Sequence, residues 1–383
     1  MNQLPQLYDE HLKKQFSYPQ YLLTVILINL LQDVRTVKLE ELGRRFAYPI
    51  QLRSRIRKIQ RLLSLPQFNV QTMWLPILSN WIEQRWSQGK VIYVVIDRSQ
   101  WREINLLMVS LVYRRRSIPI YFTILEKRGN SNLRQQKQVL LPALEVLKNY
   151  KVVVLGDREF CSVDLAKWLS QEQQVYLSLR LRKSEYVELE PHIWFQLKDL
   201  GLEPGMSLYY QDIKVTKTKG FGGVNLAAKR KRNYQDYSTT DPWYLLTNLP
   251  SLSVATNAYA KRMGIEEMFR DLKTGGYNLE ATRVNNKRLI SLMLLICFAY
   301  TLATFAGESI KRKGVAKYVT RPSSSQRTYP RHSSFSIGLH GNCWVNAMSF
   351  LPEMIQELLR FSRHKLPYHL KGLRAMSLIQ SAF

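Results

Sequence analysis

The sequence predicts an α/β protein, a mixed sheet flanked by helices, with a β insertion and helical regions at both ends. Three observations carry this expectation. Apolar runs rich in β-branched residues alternate with helical stretches from residue 91 onward, residues 1–88 read as helices throughout, and residues 184–242 break into short strands and turn signals. With 383 residues and 45% hydrophobic content, the chain has enough apolar surface for two or three cores.

Within residues 1–88, "YLLTVILINLLQ" is followed by "VKLEELGRRF" and, after Pro49, by "IQLRSRIRKIQRLLSL". A short helix, a break and a basic helix resemble a helix-turn-helix. Between Arg35 and Arg61 there are nine Lys or Arg and two Glu, and the last helix alternates Arg53, Arg55, Arg57, Lys58 and Arg61 with apolar residues. Such a helix, Arg53 and Arg57 included, suits a DNA groove or a row of phosphates. The alternative is a basic surface helix in an all-α cap.

From residue 91 the period changes. "VIYVVID", ending in Asp97, is a buried strand, and "INLLMVSLVYRR" and "IPIYFTILEK" are two more with a short basic turn between them. The helical "LRQQKQVLLPALEVLKNY" precedes another strand, "KVVVLGDREF", which carries Asp157; "SVDLAKWLSQ" reads as a helix and "QVYLSLRLR" as a strand. Three strands, helix, strand, helix, strand is the order of an RNase H-like domain. After the insertion, "PWYLLTNLP" returns the chain to that core. The expected division is residues 1–88, a helical DNA-binding region; 89–183 with 243–310, the core domain; 184–242, the β insertion; and 311–383, a basic linker and helical C-terminal region.

Charge points to the partner. The formal net charge is +27, from 56 Lys and Arg against 29 Asp and Glu, and the cations are spread over several segments, which favours nucleic acid over a membrane surface. Between Asp212 and Asp236 there are seven Lys or Arg and no acid, including Lys229, Arg230, Lys231 and Arg232, so the insertion is expected to touch phosphates. From Ser309 to Pro352 no acid appears, and the Ser- and Pro-rich part of that stretch is expected to be a linker and contact arm. Cys161, Cys297 and Cys343 lie far apart without zinc-ligand spacing. The polar start lacks the apolar core of a signal peptide, which fits a reducing cytoplasm. Residues 289–307, "LISLMLLICFAYTLATFAG", carry no charge and are long enough to cross a bilayer, but the same composition suits a helix buried inside a large domain.

In an RNase H-like topology the first and fourth strands are neighbours, which would set Asp97 beside Asp157. Two such carboxylates repel, and oxygen-only ligands with no Cys or His select Mg²⁺ or Mn²⁺. A third carboxylate for a second ion is offered by Glu266 in "YAKRMGIEEMFRDLK", residues 259–273. Read as one helix, this segment places Tyr259, Arg262, Glu266 and Lys273 in a broad stripe beside apolar Ile265, Met268, Phe269 and Leu272. Alone, that stripe is equally the solvated face of an amphipathic helix. Two ions held by three carboxylates can activate an attacking oxygen and stabilise a leaving oxygen in phosphoryl transfer.

"VVIDRSQW", "VVVLGDREF" and the spacing Y-x2-R-x3-E-x6-K resemble the DDE transposases of bacterial insertion sequences, in the insertion-sequence family four group with the YREK signature. The likeness covers about residues 90–310; Ser99 stands where that group usually has Thr. It implies an RNase H-like fold with a β insertion, catalytic and metal-binding Asp97, Asp157 and Glu266, two Mg²⁺ or Mn²⁺ ions, and phosphate contacts by Tyr259, Arg262 and Lys273. It also implies that Trp243 stacks on a flipped base during hairpin formation. Arg98 and Arg158, beside the two Asp, are either phosphate contacts or partners of nearby acids such as Glu159. The expected activity is cut-and-paste transposition on double-stranded DNA, transposon ends and target alike, by a homodimer in the synaptic complex of a bacterial, nucleoid-associated protein without a membrane anchor. The alternative is a catalytically silent, domesticated DNA-binding relative.

Overall fold

The computed structural model describes residues 4–232, 241–321, 332–348, 352–361 and 363–383. Residues 322–331 of the expected contact arm and 233–240 of the basic insertion lie outside the described residues. The chain divides into two units, one of residues 78–269 and one of residues 1–77 with 270–383.

The first unit is built on a ten-stranded sheet. Its strands are β1 (Val91–Trp101), β2 (Ile104–Tyr113), β3 (Arg116–Ile124), β4 (Lys151–Gly156), β5 (Tyr176–Arg180), β6 (Tyr186–Glu190), β7 (Ile193–Gln196), β8 (Ser207–Val215), β9 (Phe221–Lys229) and β10 (Trp243–Thr247). They lie in the order β3-β2-β1-β4-β5-β10-β9-β8-β6-β7. The three-strand meander β1 to β3 is antiparallel, whereas β1, β4 and β5 run parallel. Val94, Val95, Ile96, Val154 and Leu155 have no exposed surface, as expected of strands covered on both faces. Helix Leu133–Val146 begins at a reciprocal cap between Asn132 and Gln135 and packs on β2 and β3. The fold is therefore mixed α/β with flanking helices. The strands of the insertion, β6 to β9, continue the same sheet beyond β10.

Two local features differ from the sequence reading and shape the site. The strand expected to end at Asp97 runs on to Trp101, because β2 continues to pair with it from Arg98↔Leu107 to Trp101↔Ile104. The single helix expected over residues 259–273 is two, Leu252–Ala260 and Met263–Leu272. At the break the amides of Lys261, Arg262, Gly264 and Ile265 bond three residues back, which tightens the turn. Gly264 lies so close to the Arg116 carbonyl oxygen that a Cβ there would stand 2.9 Å from it. Arg116 also pairs with Glu267 at 2.5 Å, holding the second helix to the start of β3.

In the second unit, helix Asn286–Arg312 is the core. It is the one described helix long and apolar enough to cross a membrane, and 83% of its apolar window is buried in protein. Helices Tyr18–Val34 and Ser334–Met348 pack against it. The crossing with the latter is backbone to backbone: a Cβ on Gly307 would stand 1.8 Å from the Ser334 carbonyl oxygen, and one on Gly338 1.8 Å from that of Ala303. Tyr8 donates a hydrogen bond to Thr301 at 3.0 Å and sets its ring against Phe298. The basic helix Leu52–Leu62 packs on Leu39–Arg45, where Gly43 admits Ile56, while Arg53 and Arg57 are exposed.

Candidate active site

The parallel pairing of β1 with β4 ends at Ile96↔Gly156, so Asp97 and Asp157 are the next residue on each neighbouring strand. This is the carboxyl edge of the parallel strands, where open α/β sheets bind their ligands. Gly156 is required for the close fit behind Asp157, since a Cβ there would approach the Phe160 Cβ to 2.8 Å.

Arg262, in the turn between the two helices, reaches this edge from above it. Its Nη1 lies 3.5 Å from Asp97 Oδ2 and its Nη2 4.0 Å from Asp157 Oδ2. The same Nη2 bonds to Glu266 Oε1 one helical turn on. Three carboxylates, from two strands and a helix, thus converge on one guanidinium whose side chain is only 9% exposed. The Tyr259 hydroxyl donates to Asp157 Oδ1 at 3.3 Å, and Arg180 at the end of β5 stands 3.9 Å from the same oxygen.

The electrostatics follow from burial and crowding. Asp97 is pushed up to about 6: burial is the largest cause, the Asp157 and Glu266 charges add to it, and the Arg98 amide and Arg262 oppose it. Tyr259 is pushed up to about 12, first by burial and then by Asp157, against Arg262 and Arg180. Burial works against the charge on Arg262, but Tyr259, Asp157, Glu266 and Asp97 together hold its proton more tightly than usual. Among the described residues, no three His, Cys, Asp or Glu side chains are grouped as a metal site; the cation on these carboxylates is Arg262.

The other sequence-derived residues separate into groups. Trp243 opens β10 and sets its ring edge-on to Tyr259 at 5.0 Å, with the Lys231 ammonium 5.1 Å from its ring centre. Arg98 clamps Glu159 at 2.8 and 3.0 Å, and Glu159 also accepts from the Ser131 amide and hydroxyl. Arg98 further donates to Asn105, which bonds the Lys127 and Gly129 carbonyl oxygens, so this arginine ties a loop to the site's floor. Arg158 pairs with Asp241 at 2.5 Å. Arg230 donates to the Leu202 carbonyl oxygen, Lys229 is half-buried, and Lys231 and Arg232 are exposed. Lys273, in the other unit, pairs with Glu280 at 2.7 Å. Sequence reasoning missed Arg180; its signal was its place at the carboxyl end of "QVYLSLR", the strand parallel to and next to that of Asp157.

The family model described as a transposase DDE domain matches residues 98–302, more than half of the chain. The chain belongs to that family and is a DDE transposase, an enzyme that acts on DNA. Comparison with curated proteins finds no match. Among solved structures, the chain is similar to the piggyBac transposase in a cryo-EM synaptic complex with hairpin DNA, at 12% identity over 91% of this chain and 78% of that one, with a TM-score of 0.42.

Proposed function

We propose that this transposase mobilises an insertion sequence by a cut-and-paste route on double-stranded DNA, with Asp97, Asp157 and Glu266 as its catalytic acids. The observation that carries the reading is the convergence of those three carboxylates at the carboxyl edge of β1 and β4. Their donors are all oxygen, which suits Mg²⁺ or Mn²⁺; two such ions, when bound, would activate the attacking oxygen and stabilise the leaving one.

For the carboxylates to take up that charge, Arg262 must release Asp97 and Glu266. Its planar fork is then free to bind a DNA phosphate through two parallel bonds, the role that the resemblance to the YREK group gives it. The Tyr259 hydroxyl keeps Asp157 oriented while Arg262 moves. Trp243, with Lys231 beside it, offers a ring face for a base that leaves the stack when a hairpin forms. Arg98 serves chiefly to position Glu159 and the 127–131 loop. Arg53 and Arg57 on the exposed side of their helix, with Lys229 to Arg232 and Lys273, extend the phosphate contacts; the segment 1–88 reads the transposon ends, 184–242 and 311–383 add contacts, and two copies hold two ends together near the nucleoid.

The test is to incubate purified protein with Mg²⁺ and DNA carrying the sequences that flank its own gene, and to look for nicks. Asp97→Ala, Asp157→Ala and Glu266→Ala should each abolish nicking and leave DNA binding nearly intact, and Ca²⁺ should support binding without cleavage. An alanine protein that nicks at the parent's rate removes that residue from the catalytic set.

A further inference from the structure

The second unit carries a basic pocket outside the catalytic edge. It is an open cavity of about 240 Å³ between the turn that follows helix Asn286–Arg312 and the C-terminal helix Leu366–Gln380. Its floor is apolar: Val315 and Ala375 are buried and belong to one cluster with Ile310, Ile337 and Ile379. Its rim is cationic, made by Lys317, Lys371 and Arg374, all exposed. Tyr318 closes one side, its ring stacked on Trp344 at 6.1 Å and 10°.

On that rim the Lys317 ammonium lies 5.8 Å from the centre of the Tyr318 ring. Among the described residues, no ion pair joins Lys317, Lys371 or Arg374 to a carboxylate; the nearby Lys313, by contrast, is used structurally, capping the C-terminal helix through the Leu378 carbonyl oxygen and Ser381. The sequence explains why: no acid occurs between Ser309 and Pro352 or after Glu357. Three like charges around one cavity repel each other, and an anion relieves that cost. A ring fixed by stacking and an apolar floor suit a ligand with a flat, partly apolar part next to its negative charge.

We propose that this pocket is a phosphate-binding site that takes the backbone of a nucleic-acid strand, a DNA contact in the second unit separate from the catalytic one. The proposal rests on the reading of DNA as partner, and names a site for it. Phosphate is favoured over carboxylate because Arg374 and two lysines can share one tetrahedral anion or follow two successive ones. A strand with its bases answers the ring and the floor as well as the cations.

The experiment compares full-length parent with Lys317→Gln/Lys371→Gln/Arg374→Gln on a fluorescein-labelled duplex of arbitrary sequence, with Kd measured by anisotropy over a range of salt. Each lost phosphate contact lowers the log-log salt slope by about 0.9, so the slope should fall by about two to three units. Lys317→Arg/Lys371→Arg, which keeps the charges, should keep the parent's slope. An unchanged slope in the folded triple variant overturns the proposal. So does loss of inorganic phosphate protection against heat, or of binding to vesicles of anionic lipid, when the DNA slope stays at the parent's value. If parent and variants alike fail to nick, the catalytic reading falls, and the pocket is still judged by the slope.

Discussion

The guanidinium of Arg262 lies 3.5 Å from the Asp97 carboxylate and is bonded to Glu266 four residues along its own chain. One side chain therefore joins the acid on β1 to the acid on the helix, and it stands where the charge balance of the whole site is decided. Removing one member of a buried ion-pair network leaves the others uncompensated, which costs more than the pair itself contributes.

Arg262→Gln should therefore destabilise the protein, by about 1–3 kcal/mol given the partial exposure of Asp157 and Glu266. The pH dependence gives the sign. Without the guanidinium the Asp157 and Glu266 charges raise the Asp97 pKa further, so the folded state holds a proton that the unfolded state has released, and stability falls as pH rises. The deficit against the parent should be larger at pH 8 than at pH 5 in melting curves recorded with EDTA. Equal deficits at both pH values would mean that Arg262 does not balance these acids.

A second titration belongs to Asp97. Its folded-state pKa of about 6 lies above the ordinary 3.8 because the group is buried. The native state thus holds a proton in the window from about pH 4 to about pH 6 that the unfolded chain has released, and stability declines as pH rises through it, by about 3 kcal/mol at most. Asp97→Asn removes that group. In EDTA the stability gap should open in favour of the variant between those pH values and stay constant above them, as urea midpoints would show. A gap that does not change with pH counts against the raised value.

Much of this site is legible in the sequence. The adjacency of Asp97 and Asp157 followed from the order of strands and helices, since the parallel strand after a crossover helix is placed beside the first. The pairing of Arg98 with Glu159 was one of two open alternatives. The direction of Arg262 was not legible, because the break at residues 260–263 has no proline to announce it and depends on Gly264 meeting the Arg116 carbonyl oxygen from a distant strand. Likewise the continuation of the sheet through β6 to β9 depends on β9 pairing with β10, a contact with no local signal. Helix Asn286–Arg312 left two readings open, and part of what buries it is a glycine crossing that is visible only once Gly307 and Gly338 face Ser334 and Ala303.

That crossing yields a prediction of opposite signs. Gly338→Ala would place a methyl 1.8 Å from the Ala303 carbonyl oxygen, a backbone atom that cannot yield without parting the helices. The expected loss is about 3 kcal/mol or more. Gly372→Ala, in the C-terminal helix with nothing within 4 Å of the added carbon, should instead gain about 0.5–1 kcal/mol from the lower entropy of the unfolded chain. Thermal melts of the two variants beside the parent decide the matter, and a Gly338→Ala protein as stable as the parent would show that the helices do not cross so closely.

On the proposed hairpin route the base would stack on Trp243, whose ring meets Tyr259 edge-on at 5.0 Å and carries Lys231 above it. Closing a DNA hairpin bends the end sharply, which is easier when one base leaves the stack, and an aromatic ring can replace stacking worth about 1–3 kcal/mol per base. Trp243 begins β10 and is only half-buried, so its removal leaves the central strands covered. Trp243→Ala should then fold, bind DNA and make the first nick at the parent's rate. Conversion of nicked ends to hairpins should slow by about ten- to a hundredfold, since each 1.4 kcal/mol spent only in that step is a factor of ten. Trp243→Phe, which keeps a ring, should recover most of the rate. Denaturing gels that separate nicked from hairpin product, run beside a melting curve, give the answer: a folded alanine variant with the parent's hairpin yield would end the stacking role, and one that loses folding and nicking together would make Trp243 a structural residue of β10.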